Sequence, residues 1–364
     1  MKRKRLIPFM LIFLLLLLAC DRNQPPPGAG ALSLNLLVVA SDLVELKRDG
    51  WSTYHPTLFG TTLYHKDLLK SEEEITILCD NLTLSTIPAG VPASVSNGCP
   101  PTPEPALKRR RGEIDNTRAG VDLSIPYIIT PRMTRLLTDR PTLRWNDVVG
   151  ASSYTVRIQV GPQTWQEVVS GTETVYSGDP PLEAGKSYLL TVAADNGRSS
   201  TEEEPTKLGF VLLSEAEAEP VRTDTATLNA LDLSDEARAL ALAYLYINHN
   251  LIAEAIETLE GFAEEGSQTP AIYRLLGDLY RQTGLPLLAE SRYTQAITLS
   301  QAANDIEGQA TAQAGLGEVY ATLNNQEEAR RWLGQARTGY EILGDTQRVS
   351  DLKARLATLK AEKD

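Results

Sequence analysis

The sequence predicts a multidomain chain: a small all-β domain, then a β-sandwich, then an all-α solenoid of paired helices. Three observations predict it. Between about Glu236 and Leu343 a motif of large, small and aromatic residues recurs at offsets of 34 and 40 residues. Between Pro126 and Leu213 seven short strand-like segments alternate with turn signals. Between Leu32 and Pro101 shorter period-2 runs are punctuated by Gly and Asp turns.

The N-terminus carries Lys2-Arg3-Lys4-Arg5, a largely apolar run from Leu6 to Ala19, and then Cys20. That run is too short to span a bilayer and fits a secretory signal over residues 1–19. Leu17-Leu18-Ala19-Cys20 resembles the cleavage box of bacterial lipoproteins. The resemblance implies cleavage before Cys20, diacylation of its thiol, and an exported chain lipid-anchored to a bacterial membrane, facing the periplasm or the cell exterior. A signal with an incidental cysteine is the alternative. Residues 20–31, with Pro25-Pro26-Pro27, form a stiff tether.

Residues 32–101 predict the small β domain. Leu34, Leu36 and Val38 alternate, and Leu43 to Leu46 form a second run. Lys47-Arg48-x-Gly50-Trp51, Gly60-x-x-Leu63, Asp67-Leu68-Leu69 and Ile75 to Leu78 follow. That order resembles the FecR-type domain, with Lys66 where the family has Gly before Asp67. The best-known members of that family receive a signal from an outer-membrane receptor and regulate a sigma factor. Trp51 and Tyr54 are core candidates; an exposed aromatic contact is the alternative. An exported location makes disulfides possible. With Cys20 assigned to the lipid, Cys79 and Cys99 remain, and the pair reads as a disulfide. Two separate buried thiols are the alternative. His55, His65 and His249 stand at no ligand spacing from a cysteine, so no metal site is expected.

Residues 102–125 form a linker, opened by Pro103 and Pro105 and continued by Lys108-Arg109-Arg110-Arg111. The basic run reads as a solvated loop; contact with anionic head groups or a protease site are alternatives. Residues 126–214 form the sandwich. Pro141-x-Leu143-x-Trp145, Gly150-Ala151-x-x-Tyr154-x-Val156 and Leu182-x-x-Gly185-x-x-Tyr188-x-Leu190-x-Val192 resemble a fibronectin type III domain. The resemblance implies that Trp145 and Tyr188 are core residues of opposite sheets. Gly185-Lys186-Ser187 ends like a phosphate-binding loop, but Pro180 stands where that motif needs glycine. Residues 215–234 read as an acidic linker.

Residues 235–362 form the helical array. Tyr273-x-x-Leu276-Gly277-x-x-Tyr280 recurs as Gln313-x-x-Leu316-Gly317-x-x-Tyr320, with a weaker copy at Ala239-x-x-Leu242-Ala243-x-x-Tyr246. Each precedes a second motif: Ala255-x-x-x-Leu259, Ala289-x-x-x-Tyr293-x-x-Ala296, and Ala329-x-x-x-Leu333-x-x-Ala336. Residues three and four apart share a helix face, and a glycine there lets a second helix approach closely. Asn250, Gly284 and Asn324-Asn325 are the turns within pairs, and the extra residues around Ala303 to Gly308 predict a longer turn between pairs. The pattern resembles the tetratricopeptide repeat (TPR). The resemblance implies a concave surface lined by the first helix of each pair, where this sequence has Tyr244, Arg274, Asp278, Arg281 and Glu318. Arg274 and Arg281, seven apart, are candidates to grip a peptide carboxylate. A last helix from Asp345 to Lys360 closes the array.

The net charge is −12, and −16 without the four bases of residues 1–19, which argues against a nucleic-acid partner. The signature motifs of zinc, nucleotide and serine-hydrolase chemistry are absent. The sequence therefore predicts a non-catalytic, membrane-anchored scaffold without catalytic residues or cofactors, holding a protein or peptide partner in its TPR groove. Two alternatives stand beside it: a FecR-like envelope signalling regulator, and a self-associating structural protein.

Overall fold

The computed structural model describes residues 32–39, 44–103, 105–109, 120–203 and 209–361. The signal, Cys20, the tether and much of the basic linker lie outside the described residues.

The first domain holds strands β1 (Leu32–Ser33), β2 (Asn35–Val39), β3 (Val44–Lys47), β4 (His55–Thr57), β5 (Thr62–Leu63), β6 (Leu68–Ser71), β7 (Ile75–Leu78), β8 (Leu84–Ile87) and β9 (Ala93–Ser94). A single helical turn, α1 (Val95–Gly98), and strand β10 (Lys108–Arg109) complete it. Two four-stranded sheets form, in the orders β5-β2-β7-β8 and β4-β3-β6-β9. Strand β2 is buried on both faces. Leu37 joins Val44, Leu46, Ile75 and Ile77 inside the domain. Leu34, Leu36 and Val38, the period-2 set, instead join the core of the helical array. A nearly continuous apolar run is what a strand with two buried faces requires. Cys79 and Cys99 form a disulfide across a sequence separation of 20, with both residues buried.

The linker over 102–125 needs correction. Leu107 is fully buried, and β10 pairs antiparallel with β1. Asn248 Nδ2 donates to Ala106 O at 3.1 Å, so the array's first pair holds this segment.

The second domain contains β11 (Ile128–Thr130), β12 (Thr134–Leu136), β13 (Thr142–Trp145), β14 (Tyr154–Val160), β15 (Gln163–Val169), β16 (Glu173–Val175), β17 (Ser187–Tyr188), β18 (Leu190–Ala194) and β19 (Phe210–Leu212). Its sheets run β11-β13-β16, β15-β14-β18 and β12-β19-β17. Trp145, on the first of these, and Tyr188, on the last, are buried in one core. The Tyr188 hydroxyl accepts from the Glu183 N–H at 2.6 Å, tying the strand to the turn before it. Gly185 lies in that turn, and Ser187 opens strand β17 rather than a helix.

The acidic linker over 215–234 is also corrected: it contains helix α2 (Glu215–Ala230), which buries Ala218, Val221 and Leu228. The Ser214 hydroxyl and backbone N–H both donate to the Glu217 carboxylate, a cap strong enough to start a helix ahead of Pro220.

The array comprises α3 (Asp235–Asn248) with α4 (Ile252–Glu264), α5 (Pro270–Gln282) with α6 (Pro286–Ala302), α7 (Ile306–Thr322) with α8 (Gln326–Leu343), and the closing helix α9 (Thr346–Ala361). Asn250, Gly284 and Asn324 turn the chain within each pair in left-handed backbone conformations, which Asn and Gly adopt most readily. A Cβ on Gly277 would lie 2.7 Å from the Tyr293 ring, and one on Gly317 would lie 2.6 Å from Leu333. Both glycines are therefore contact points between the two helices of a pair. The longer turn expected around 303–308 is not there. Three residues connect α6 to α7, and both helices are 17 residues long. The extra residues extend the helices because Asp305 caps α7 directly, its carboxylate accepting from Gly308 N at 2.9 Å.

Candidate functional site

The first helices of the three pairs, α3, α5 and α7, carry the residues expected to line the groove. Four of them form one network together with Tyr293, which comes from a second helix. Arg274 donates to Asp278 Oδ2 and to the Tyr244 hydroxyl, each at 3.1 Å. The Tyr293 hydroxyl donates to Asp278 Oδ1 at 2.6 Å and accepts from Arg281 Nε at 3.3 Å. Burial, followed by the Asp278 charge, pushes the Tyr293 phenol well above its ordinary range, so it stays a donor at any physiological pH. Glu318, whose charge acts on Arg281, is bonded bidentately by Arg355 of α9. Arg274 and Arg281 thus meet acceptors supplied by the array itself.

Sequence reading did not anticipate what covers this face: it is the first β domain. The turn at Gly60 reaches α3 and α5, where a Cβ would lie 2.8 Å from Leu240 and 2.9 Å from Ala271. Arg48 crosses to α7, donating from Nε to Glu307 Oε1 at 2.6 Å and from Nη2 to Oε2 at 2.8 Å. Its Nη1 donates to Asp67 Oδ2 at 2.6 Å within its own domain. Trp51 is buried against the array's end, and its Nε1 donates to Asp345 Oδ2 at 3.4 Å. The guanidinium of Arg48 sits 5.9 Å from the Trp51 ring and 5.2 Å from that of Tyr64.

Glu307 also faces Arg348, 3.4 Å away. Burial opposes its charge, but the two arginines prevail and hold the carboxyl below its usual range. Asp305 is pushed up to about 6 by burial, which its bond from Gly308 only partly offsets. A cavity of about 50 Å³ remains at this junction, bordered by Arg48, Arg274, Ser300, Asp305 and Glu307.

A second hollow, about 360 Å³, lies between the second β domain and α4. Arg140 and Arg144 border it from the second β domain; Glu254, Glu257, Glu260 and Glu264 border it from the helix. Glu254 Oε1 accepts from the Leu137 N–H at 2.6 Å, and burial pushes its carboxyl up to about 7. Nearby, Arg132 is fully buried and bonds both Glu203 and the Thr283 carbonyl, clamping the second β domain to the turn between α5 and α6. Among the described residues, no group of three His, Cys, Asp or Glu side chains is placed to hold a metal ion.

Residues 268–342 match the tetratricopeptide repeat family model, and α5 to α8 are TPR repeats. No curated protein matches this chain. Solved structures similar to it include BtubC (BKLC) from P. vanneervenii, at 18% identity and TM-score 0.30, over 41% of this chain and 74% of that one. MamA is similar at 18% identity and TM-score 0.27, over 41% and 97% of the two chains. A Podosopora anserina putative kinesin light chain with TPR-like repeats is similar at 18% identity and TM-score 0.29, over 41% and 88%.

Proposed function

We propose that this chain is a non-catalytic interaction scaffold, exported and held to a bacterial membrane by a lipid on Cys20, that binds a protein or peptide partner on its TPR array. One observation carries the reading: the face made by the first helices meets a separate folded domain through apolar contacts and the Arg48–Glu307 pair. A surface with that composition is suited to holding polypeptide. By repeat position the partner-facing residues are Tyr244, Arg274, Asp278, Arg281 and Glu318; the first four are joined in a network on the face that the first β domain meets, and Glu318 is held by Arg355 of α9. The second β domain serves as a spacer of fibronectin type III kind, and the burial of Trp145 and Tyr188 from different sheets in one core supports that assignment. The first domain is assigned to the FecR kind from its sequence order, without a signalling role.

The test is a photo-crosslinker placed at position 318 in the full chain, expressed in native membranes. The expected outcome is a discrete adduct with one polypeptide, lost when the probe is moved to exposed Val149 in the sandwich. Equal adducts at both positions would sink the scaffold reading. Fatty-acid labelling that persists in Cys20→Ser would remove the anchor from it.

A further inference from the structure

We propose that the hollow between the second β domain and α4 is a binding site for a small zwitterion of dipeptide size, its ammonium end held by the helix and its carboxylate end by the β domain. The site stands apart from the scaffold reading, since no part of it uses the first-helix face.

The two walls of the hollow carry opposite charge. Arg140 and Arg144 stand on the β domain; Glu254, Glu257, Glu260 and Glu264 follow one another at helical spacing along one side of α4. Among the described residues, no ion pair crosses from one wall to the other. Some of these charges are used on their own side. Arg144 Nε pairs with Glu173 at 3.3 Å. The Glu260 carboxylate accepts from Arg292 at 2.6 Å and from the Tyr280 hydroxyl at 2.8 Å. Arg140 and Glu257, on opposite walls, enter no ion pair among the described residues. Arg140 is laid over Gly178, where an added Cβ would come 2.9 Å from its Nε, so a residue without a side chain makes its place.

Glu254 gives the helix wall an acceptor that the protein leaves unsatisfied. Its Oε1 accepts from the Leu137 N–H, while its Oε2 is buried without a hydrogen-bond partner among the described residues. Such an oxygen costs stability, and an ammonium held by Glu257, three residues on, brings three donors to this wall. Between the charges the lining is aliphatic, with Leu136 and Pro141 from the β domain and Ala253 and Ile256 from the helix. The hollow, about 360 Å³, has the size of a small-molecule site. A dipeptide carries its ammonium and carboxylate at opposite ends with an apolar side chain between them, which matches opposed charged walls separated by aliphatic surface. A free amino acid carries both charges on one carbon and matches it less well.

The test is calorimetric titration of the full chain with the dipeptide alanyl-leucine near neutral pH. Saturable binding at one site is expected. Acetylating the amine of the dipeptide, or amidating its carboxylate, should each weaken binding by about tenfold or more, because each cap removes one of the two charges. Glu257→Gln and Arg140→Gln should each weaken it about tenfold, with melting temperatures close to that of the unmodified chain, since both side chains are exposed. The capped dipeptides test the same claim on the unmodified chain, so the result does not hang on a variant folding. No saturable binding up to about 10 mM dipeptide overturns the proposal. Undiminished binding of either capped form, or unchanged affinity in both variants, overturns it as well.

Discussion

Arg48 and Glu307 stand 259 residues apart in sequence and 2.6 Å apart in space, and their pair joins the first β domain to the TPR array. Both side chains are nearly excluded from water. Neutralising one member of such a pair leaves the other as an incompletely compensated buried charge. Arg48 retains Asp67, which limits the loss. Glu307→Gln should destabilise the chain by about 2–3 kcal/mol, below the full cost of breaking a buried pair. Urea unfolding near neutral pH measures it. A change under about 0.5 kcal/mol, the range of an ordinary surface substitution, would mean the pair is solvated.

Glycines within the array make opposite predictions depending on what faces them. Gly317→Ala adds a Cβ 2.6 Å from Leu333 Cγ and 3.1 Å from its backbone nitrogen. Alanine's helix preference cannot offset that overlap, and about 1–3 kcal/mol should be lost to overpacking. Gly261, inside α4, has nothing within 4 Å of its would-be Cβ. Gly261→Ala should stabilise by up to about 1 kcal/mol. Thermal unfolding of the two variants should move in opposite directions. Movement in the same direction would refute the close approach of α7 and α8.

The contrast between these two sites shows what was legible in the sequence. The array was, because its signal is local: Leu276, Gly277 and Tyr280 lie within one helical turn and recur. The left-handed turns at Asn250 and Gly284 follow from the chemistry of single residues. The docking of the β domain was not legible, because Arg48 and Glu307 share no spacing that a periodicity search could find. Leu34, Leu36 and Val38 showed that one face of β2 is buried, but not that helices rather than strands cover it. Helix α2 carries a capping signal, Ser214-x-x-Glu217, that reading residues 215–234 as an acidic linker left unused. Of the groove residues, Tyr244, Arg274, Asp278 and Arg281 were placed together by repeat position alone. Their hydrogen-bonded network, completed by Tyr293, needed three-dimensional geometry.

The disulfide between Cys79 and Cys99 should contribute most to the first domain. It closes a loop across a sequence separation of 20, which in the chain-entropy account corresponds to about 3 kcal/mol. Both sulfurs lie in a buried core that includes Trp51. Cys79→Ala with Cys99→Ala should lower stability by roughly that amount, and hydrogen exchange should rise first in β7 and β8. Unchanged exchange in those strands would show that the hydrophobic core alone holds the domain.

Glu254 sets a pH dependence whose sign can be worked out. Its carboxyl titrates at about 7 in the folded chain against 4.5 for an unperturbed group, because burial disfavours the charge. The folded state therefore binds the proton more tightly than the unfolded state does. Stability is greatest below the unfolded value, falls as pH rises from about 4.5 to 7, and is level above that range as far as this residue is concerned. Glu254→Gln preserves an oxygen to accept the Leu137 N–H and removes the buried charge. At pH 8 it should raise stability by on the order of 2 kcal/mol, and at pH 4 it should change little. Denaturation midpoints across that pH range, compared between the two proteins, check the slope as well as the sign. An unchanged slope would place Glu254 in water, where the hollow beside the second β domain would have to be open enough to hydrate it.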